Sequence, residues 1–90
     1  MRVIFMGTPD FAAGILEALV EAQADIVLVV TQPDRKRGRG KETGVSAVKE
    51  CALRLGLNVF QPERIRDPEA VRVIRELSPD IIVVSAFGQI

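Results

Sequence analysis

Ile26-Val27-Leu28-Val29-Val30 contains no polar residue that could turn toward water. A strand with such a run is covered on both faces, the usual situation of a parallel strand. Around it the chain alternates short strand-like runs with helical patterns from end to end, with no internal repeat, linker or low-complexity segment. That alternation is the signature of an α/β protein built on a parallel sheet.

Residues 2–6 read as the first strand. Gly7-Thr8-Pro9-Asp10 follows, with Thr8 placed to cap a helix whose first position is Pro9, where the missing N–H costs nothing. This helix spans residues 9–22. Phe11, Ile15, Leu16, Leu19 and Val20 form its apolar stripe, and Glu17 and Glu21 are expected to face away. Ser46 caps a second helix, in which Val48, Cys51, Ala52 and Leu55 recur at helical spacing before Gly56 ends it. Residues 57–60 are a short third strand. Asp67-Pro68 opens a third helix with Val71, Ile74 and Leu77 inward, and Ser78-Pro79 closes it. Asp80-Ile81-Ile82-Val83-Val84-Ser85-Ala86 is the fourth strand, apolar enough for the middle of a sheet.

The pattern is βαβαβαβ with right-handed crossovers: a doubly wound parallel sheet, one Rossmann-like half, with expected strand order 3-2-1-4. Ligands of such sheets bind beyond the carboxyl ends of the strands where the order reverses. That switch point brings Gly7, Thr8, Pro9, Asp10 and Phe11 opposite residues 86–90. Sheet and site are expected to continue in sequence after Ile90, so the fold is cut after its fourth strand.

Ninety residues form one small domain at most, and a chain of this size buries only about 60–65% of its unfolded surface. The composition, 48% hydrophobic and 27% charged, is that of a soluble globular protein. No apolar stretch approaches the roughly 20 residues that cross a bilayer, and the N-terminus does not read as a signal peptide. Cys51 lies in a helical apolar pattern and has no partner for an internal disulfide, which suits core packing in a reducing cytoplasm.

Charge is balanced overall, twelve Lys plus Arg against twelve Asp plus Glu, yet Arg35, Lys36, Arg37, Arg39 and Lys41 fall in one segment, residues 32–41. A local concentration of cations implies a local polyanion. Guanidinium groups pair with phosphate oxygens, the lysines add point charge, and Gly38 and Gly40 let the segment bend. No aromatic residue is interleaved, which favours backbone contact with a structured RNA over base stacking. A solvated surface loop has the same composition, and charge alone leaves the two readings even.

Other chemistries are excluded by what is missing. Gly7 has no second and third glycine at dinucleotide spacing, which argues against NAD, and Gly7-Thr8-Pro9-Asp10 also reads as a plain strand-to-helix turn. Gly40-Lys41 is not a phosphate-binding loop, because Arg35 and Glu42 stand where Gly and Ser or Thr are needed. Without histidine there is no Ser-His or Cys-His pair, and no His or Cys cluster for a metal.

Several segments in order, Val3-Ile4-Phe5-Met6-Gly7-Thr8-Pro9-Asp10-Phe11-Ala12, Thr31-Gln32-Pro33-Asp34-Arg35, Gly38-Arg39-Gly40-Lys41, Ser46-Ala47-Val48-Lys49, Phe60-Gln61-Pro62-Glu63 and Ala86-Phe87-Gly88-Gln89-Ile90, resemble the methionyl-tRNA formyltransferases over the whole chain. The resemblance implies transfer of a formyl group from 10-formyltetrahydrofolate to the α-amino group of methionine on initiator tRNA, with this chain as the first part of the catalytic domain. Arg35, Lys36, Arg37, Arg39 and Lys41 match the insertion along the tRNA acceptor stem, with Arg39 its most sensitive position. Phe87, Gly88, Gln89 and Ile90 match the segment lining the folate pocket, largely through backbone groups, and residues 7–11 match the turn facing it. The family's catalytic Asn, His and Asp have no counterpart here, so no catalytic residue is expected in these 90 residues, and no metal. Ala47 and Phe87 depart from the usual Pro and Tyr.

Two alternatives stay open at this stage: a non-catalytic RNA- or nucleotide-binding module, and a folate-dependent formyltransferase or hydrolase with a small substrate. The long basic segment argues against the latter. The unpaired fourth strand is expected to promote self-association of a chain ending at Ile90.

Overall fold

The computed structural model describes residues 1–37 and 42–89, with residues 35–37, 42 and 43 described by their backbone alone. The elements follow in the order β1 (Arg2–Gly7), α1 (Asp10–Glu21), β2 (Asp25–Val30), β3 (Arg35–Arg37), β4 (Glu42–Gly44), α2 (Ala47–Arg54), β5 (Val59–Phe60), α3 (Pro68–Glu76) and β6 (Ile81–Ser85). Four strands form a parallel sheet in the order β5-β2-β1-β6, which is the 3-2-1-4 order expected of a Rossmann-like sheet.

Successive residues of β1 serve opposite faces of the sheet. Val3 and Phe5 join Ala12 and Leu16 of α1 and Val48, Cys51 and Ala52 of α2 in one buried cluster. Ile4 and Met6 join Leu28, Val30 and Phe87 in another, closed by Val73 and Ile74 of α3 and by Leu77. An irregularity opposite the Val3–Ile4 step gives β2 one extra residue, so Ile26 shares the face of Val3 while Leu28 shares that of Ile4. Each such buried aliphatic or aromatic side chain contributes about 1.5–3 kcal/mol relative to exposure. Burial pushes the Cys51 thiol up from its ordinary value, Glu17 adds to the shift and Arg54 opposes it, so the group stays a protonated packing element.

The structure corrects several sequence expectations. The basic segment is not all loop: Arg35 pairs with Gly44, Lys36 with Thr43 and Arg37 with Glu42 in a two-stranded antiparallel ribbon. Charged residues have weak strand preference, so nothing in their pattern announces the pairing. Helix α1 is turned so that Ala12 and Leu16 face the sheet, which leaves Phe11 62% and Ile15 40% exposed. The reason is close packing, since a Cβ on Gly7 would lie 2.9 Å from that of Ala12, and a larger face would not fit. Glu17 does not face away from the protein; it pairs with Arg54 across the contact between α1 and α2.

Pro9, rather than Thr8, is the cap residue of α1, and the Thr8 hydroxyl donates instead to the Phe87 carbonyl. In α3 the buried residue is Ala70 and Val71 lies outward, while Asp67 and Pro68 start the helix as expected, without a side-chain cap bond. Strand β5 is shorter than residues 57–60. Strand β6 lies at the edge of the described sheet, as the 3-2-1-4 order places a last strand: it pairs with β1 alone and exposes Ile81, Ile82 and Val84.

The start and stop of α2 follow the sequence reading. The Ser46 hydroxyl accepts the backbone N–H of Lys49 at 3.0 Å, a cap worth about 1 kcal/mol. It also shares a 2.7 Å hydrogen bond with the fully buried hydroxyl of Thr31, so one side chain joins the end of β2 to the start of α2. Gly56, at φ +74°, takes the left-handed conformation that ends the helix.

Candidate functional site

The carboxyl ends of β2, β1, β5 and β6 lead into four turns at one edge of the sheet. Beyond β1 is residues 7–11, beyond β6 residues 86–89, beyond β2 residues 31–34, and beyond β5 residues 61–67. The switch point lies between β1 and β6, as their adjacency requires.

The first two turns are tied directly. The Thr8 hydroxyl donates to the Phe87 carbonyl at 3.0 Å, and the Thr8 carbonyl accepts the Val48 N–H at 3.3 Å from the first turn of α2. Gly7 sits against the carbonyl of Ser85, with no room for a Cβ. Gly7, Thr8 and Pro9 are therefore packed in, while Asp10 and Phe11 are exposed at the start of α1. Phe87 turns its ring into the core and is 2% exposed as a whole, its carbonyl taken up by the Thr8 hydroxyl. On either side of it Ala86 at φ +56° and Gly88 at φ +99° adopt left-handed backbone, a bend that persists only where the surroundings hold it.

What holds it is a set of amides. The Gln89 side chain accepts the Ile65 N–H at 2.7 Å and donates to the Gln32 side-chain oxygen at 2.8 Å and the Pro62 carbonyl at 3.0 Å. Gln61 donates to the Gln32 carbonyl at 3.2 Å and to Asp34 at 2.8 Å. The other oxygen of Asp34 pairs with Lys49 at 2.8 Å. The hydrogen bonds from Lys49 and then Gln61 hold the Asp34 carboxyl below its ordinary 3.8, so it stays ionised into the acid range. Arg35, the first residue of β3, follows directly on this anchored aspartate.

A cavity of about 410 Å³ opens beside this network, lined by Glu63, Arg64, Ile65, Arg66, Asp67 and Gln89. Of the residues expected to line a site, Gln89 alone among those described reaches it. The structure thus brings residues 7–11 and Phe87, Gly88 and Gln89 together, and places Arg35, Lys36 and Arg37 on a ribbon rooted at the same edge. Arg39, Lys41 and Ile90 lie outside the described residues. Gln32, Gln61 and Asp34 were not singled out from sequence, although a Gln-Pro dipeptide ends two strand runs, at 32–33 and 61–62, and marks equivalent turns. Among the described residues no group of His, Cys, Asp and Glu is placed to hold a metal, and no helix is long and apolar enough to cross a membrane.

The family model described as formyl transferase matches residues 1–90. The chain is 57% identical to a methionyl-tRNA formyltransferase of Agathobacter rectalis, 54% to one of Geotalea daltonii and 49% to one of Acetivibrio thermocellus. Each comparison covers 100% of this chain and 29% of the relative, so the chain spans under a third of their length.

Proposed function

This chain belongs to the formyl transferase family, and from that premise we propose that it is the N-terminal part of the catalytic domain of a cytoplasmic methionyl-tRNA formyltransferase. The formyl donor is 10-formyltetrahydrofolate and the acceptor is the α-amino group of methionine on initiator tRNA. In the reaction the amine nitrogen bonds to the formyl carbon, the bond from that carbon to N10 of the folate breaks, and a proton passes from the amine to N10. Stabilising the oxyanion and moving that proton need polar groups aimed at the reacting carbon. Those groups lie outside these 90 residues, whose share is recognition.

The observation that carries this reading is the position of the cationic segment. It leaves the sheet edge immediately after Asp34, whose partner Gln61 also holds the main chain of Gln32, and Gln32 contacts the turn at Gln89. Arg35, Lys36, Arg37, Arg39 and Lys41 engage phosphates of the acceptor stem beside that edge. The turn of residues 7–11, exposed at Asp10 and Phe11, and the backbone of Phe87, Gly88, Gln89 and Ile90 line the donor pocket.

Acceptor competition tests the reading. Given 10-formyltetrahydrofolate, the full-length protein should formylate methionyl initiator tRNA and leave an amino sugar untouched; the reverse preference would overturn it, since a small acceptor has no use for five clustered cations. A second expectation concerns the 90-residue chain alone. Strand β6 offers an unpaired edge with Ile81, Ile82 and Val84 exposed, so the isolated chain should self-associate through it. Light scattering that finds a monomer at micromolar concentration would contradict this.

A further inference from the structure

The Gln89 side chain makes three hydrogen bonds to two different turns, at Pro62 and Ile65 beyond β5 and at Gln32 beyond β2. Its oxygen meets the Ile65 N–H and its nitrogen meets the Pro62 carbonyl, so both neighbours dictate the same amide orientation. With that orientation set, the Gln89 nitrogen can be answered only by the oxygen of Gln32, which turns the Gln32 nitrogen toward Gly88. A Cβ on Gly88 would come within 2.8 Å of that nitrogen. The backbone at residue 88 therefore rests on the Gln32 amide, while residue 89 is pinned to the turn after β5.

Phe87 is anchored separately, by its buried ring and by the Thr8 hydroxyl on its carbonyl. The ring and Thr8 hold the near end of the turn, and the amide pair holds the far end. Between them lies Gly88 at φ +99°, and Ala86 at φ +56° precedes Phe87, so left-handed backbone flanks the near anchor on both sides.

We propose that Gln32 and Gln89 are positioning residues, whose paired side-chain amides set the height and tilt of the 87–89 backbone against the formyl donor. This rests on the reading of that turn as part of the donor pocket. Neither side chain touches the reacting atoms; both act through the backbone they hold.

The test is a double-mutant cycle in the full-length protein, with Gln32→Ala, Gln89→Ala and the pair, reading KM for donor and for tRNA separately, and melting temperature. Each single change is expected to raise the donor KM roughly tenfold, the scale of a misplaced pocket wall. The tRNA KM should stay within about twofold, and the double variant should be no worse than the more affected single variant, because the two side chains form one contact. Unchanged donor KM in both single variants would overturn the proposal and leave the formyltransferase reading intact. Equal rises in both KM values with a lowered melting temperature would also overturn it, as the mark of general loosening. A wild-type protein without formyl transfer would remove the reading and this inference together.

Discussion

Gly7→Ala is expected to destabilise the fold by about 2–3 kcal/mol. The new methyl group would meet the Ser85 carbonyl at 2.8 Å, the Ala12 Cβ at 2.9 Å and the Phe5 ring at 3.0 Å. None of the three gives way easily, since the Phe5 ring is itself fully buried in the core. The carbonyl is in the β6 strand paired with β1, and Ala12 is in the helix face closest to the sheet, so relief requires moving β6, α1 or both. Such movement would strain the Thr8–Phe87 bond as well. Gly14 provides the control: it lies inside α1 with open space around it, so Gly14→Ala should stabilise by roughly 0.5–1 kcal/mol through helix propensity alone. Denaturant midpoints of the two variants should move in opposite directions. Equal midpoints would mean that the close approach of β1, β6 and α1 is not what the structure describes.

Neutralising the cationic segment has the largest expected effect on binding. With Arg35, Lys36, Arg37, Arg39 and Lys41 all replaced by alanine in the full-length protein, affinity for initiator tRNA should fall by at least about 100-fold at low salt. The dependence of log affinity on log salt should flatten by somewhat under one unit for each phosphate contact removed. Donor KM should be unaffected, because Asp34, Gln61 and Gln32, which brace the turn at Gln89, are left in place. Filter binding or fluorescence titration across a salt series reads both quantities. A variant that keeps the wild-type salt slope would show that the segment does not meet the RNA backbone.

The apolar runs located the sheet strands, because short runs rich in β-branched residues between turn signals favour extended chain, and the parallel order followed from connections that each contain a helix. Ser46 and Gly56 were legible because a cap and a left-handed stop are local requirements. The ribbon of β3 and β4 was not legible, since its residues carry charge rather than alternation, and what defines it is the pairing of the two segments with each other. The rotation of α1 was missed for a different reason. Periodicity finds a stripe, but the approach of Ala12 to Gly7 decides which edge of it faces the sheet. At the site, the switch point could be derived from strand order alone, whereas the Gln32–Gln89 contact joins residues far apart in sequence and depends on left-handed turns that no propensity announces. The resemblance supplied the expected roles of Phe87, Gly88 and Gln89, including contact through backbone; the packing adds that the Phe87 ring is spent on the core.

Because the central claim is that these residues recognise donor and tRNA without performing the chemistry, the most direct measurement is formyl transfer followed side by side. The full-length protein and the 90-residue chain would each be given labelled 10-formyltetrahydrofolate and methionyl initiator tRNA. The account predicts labelled formylmethionyl-tRNA from the full-length protein and none above background from the 90-residue chain. Turnover by the 90-residue chain, or its absence in the full-length protein, would contradict it.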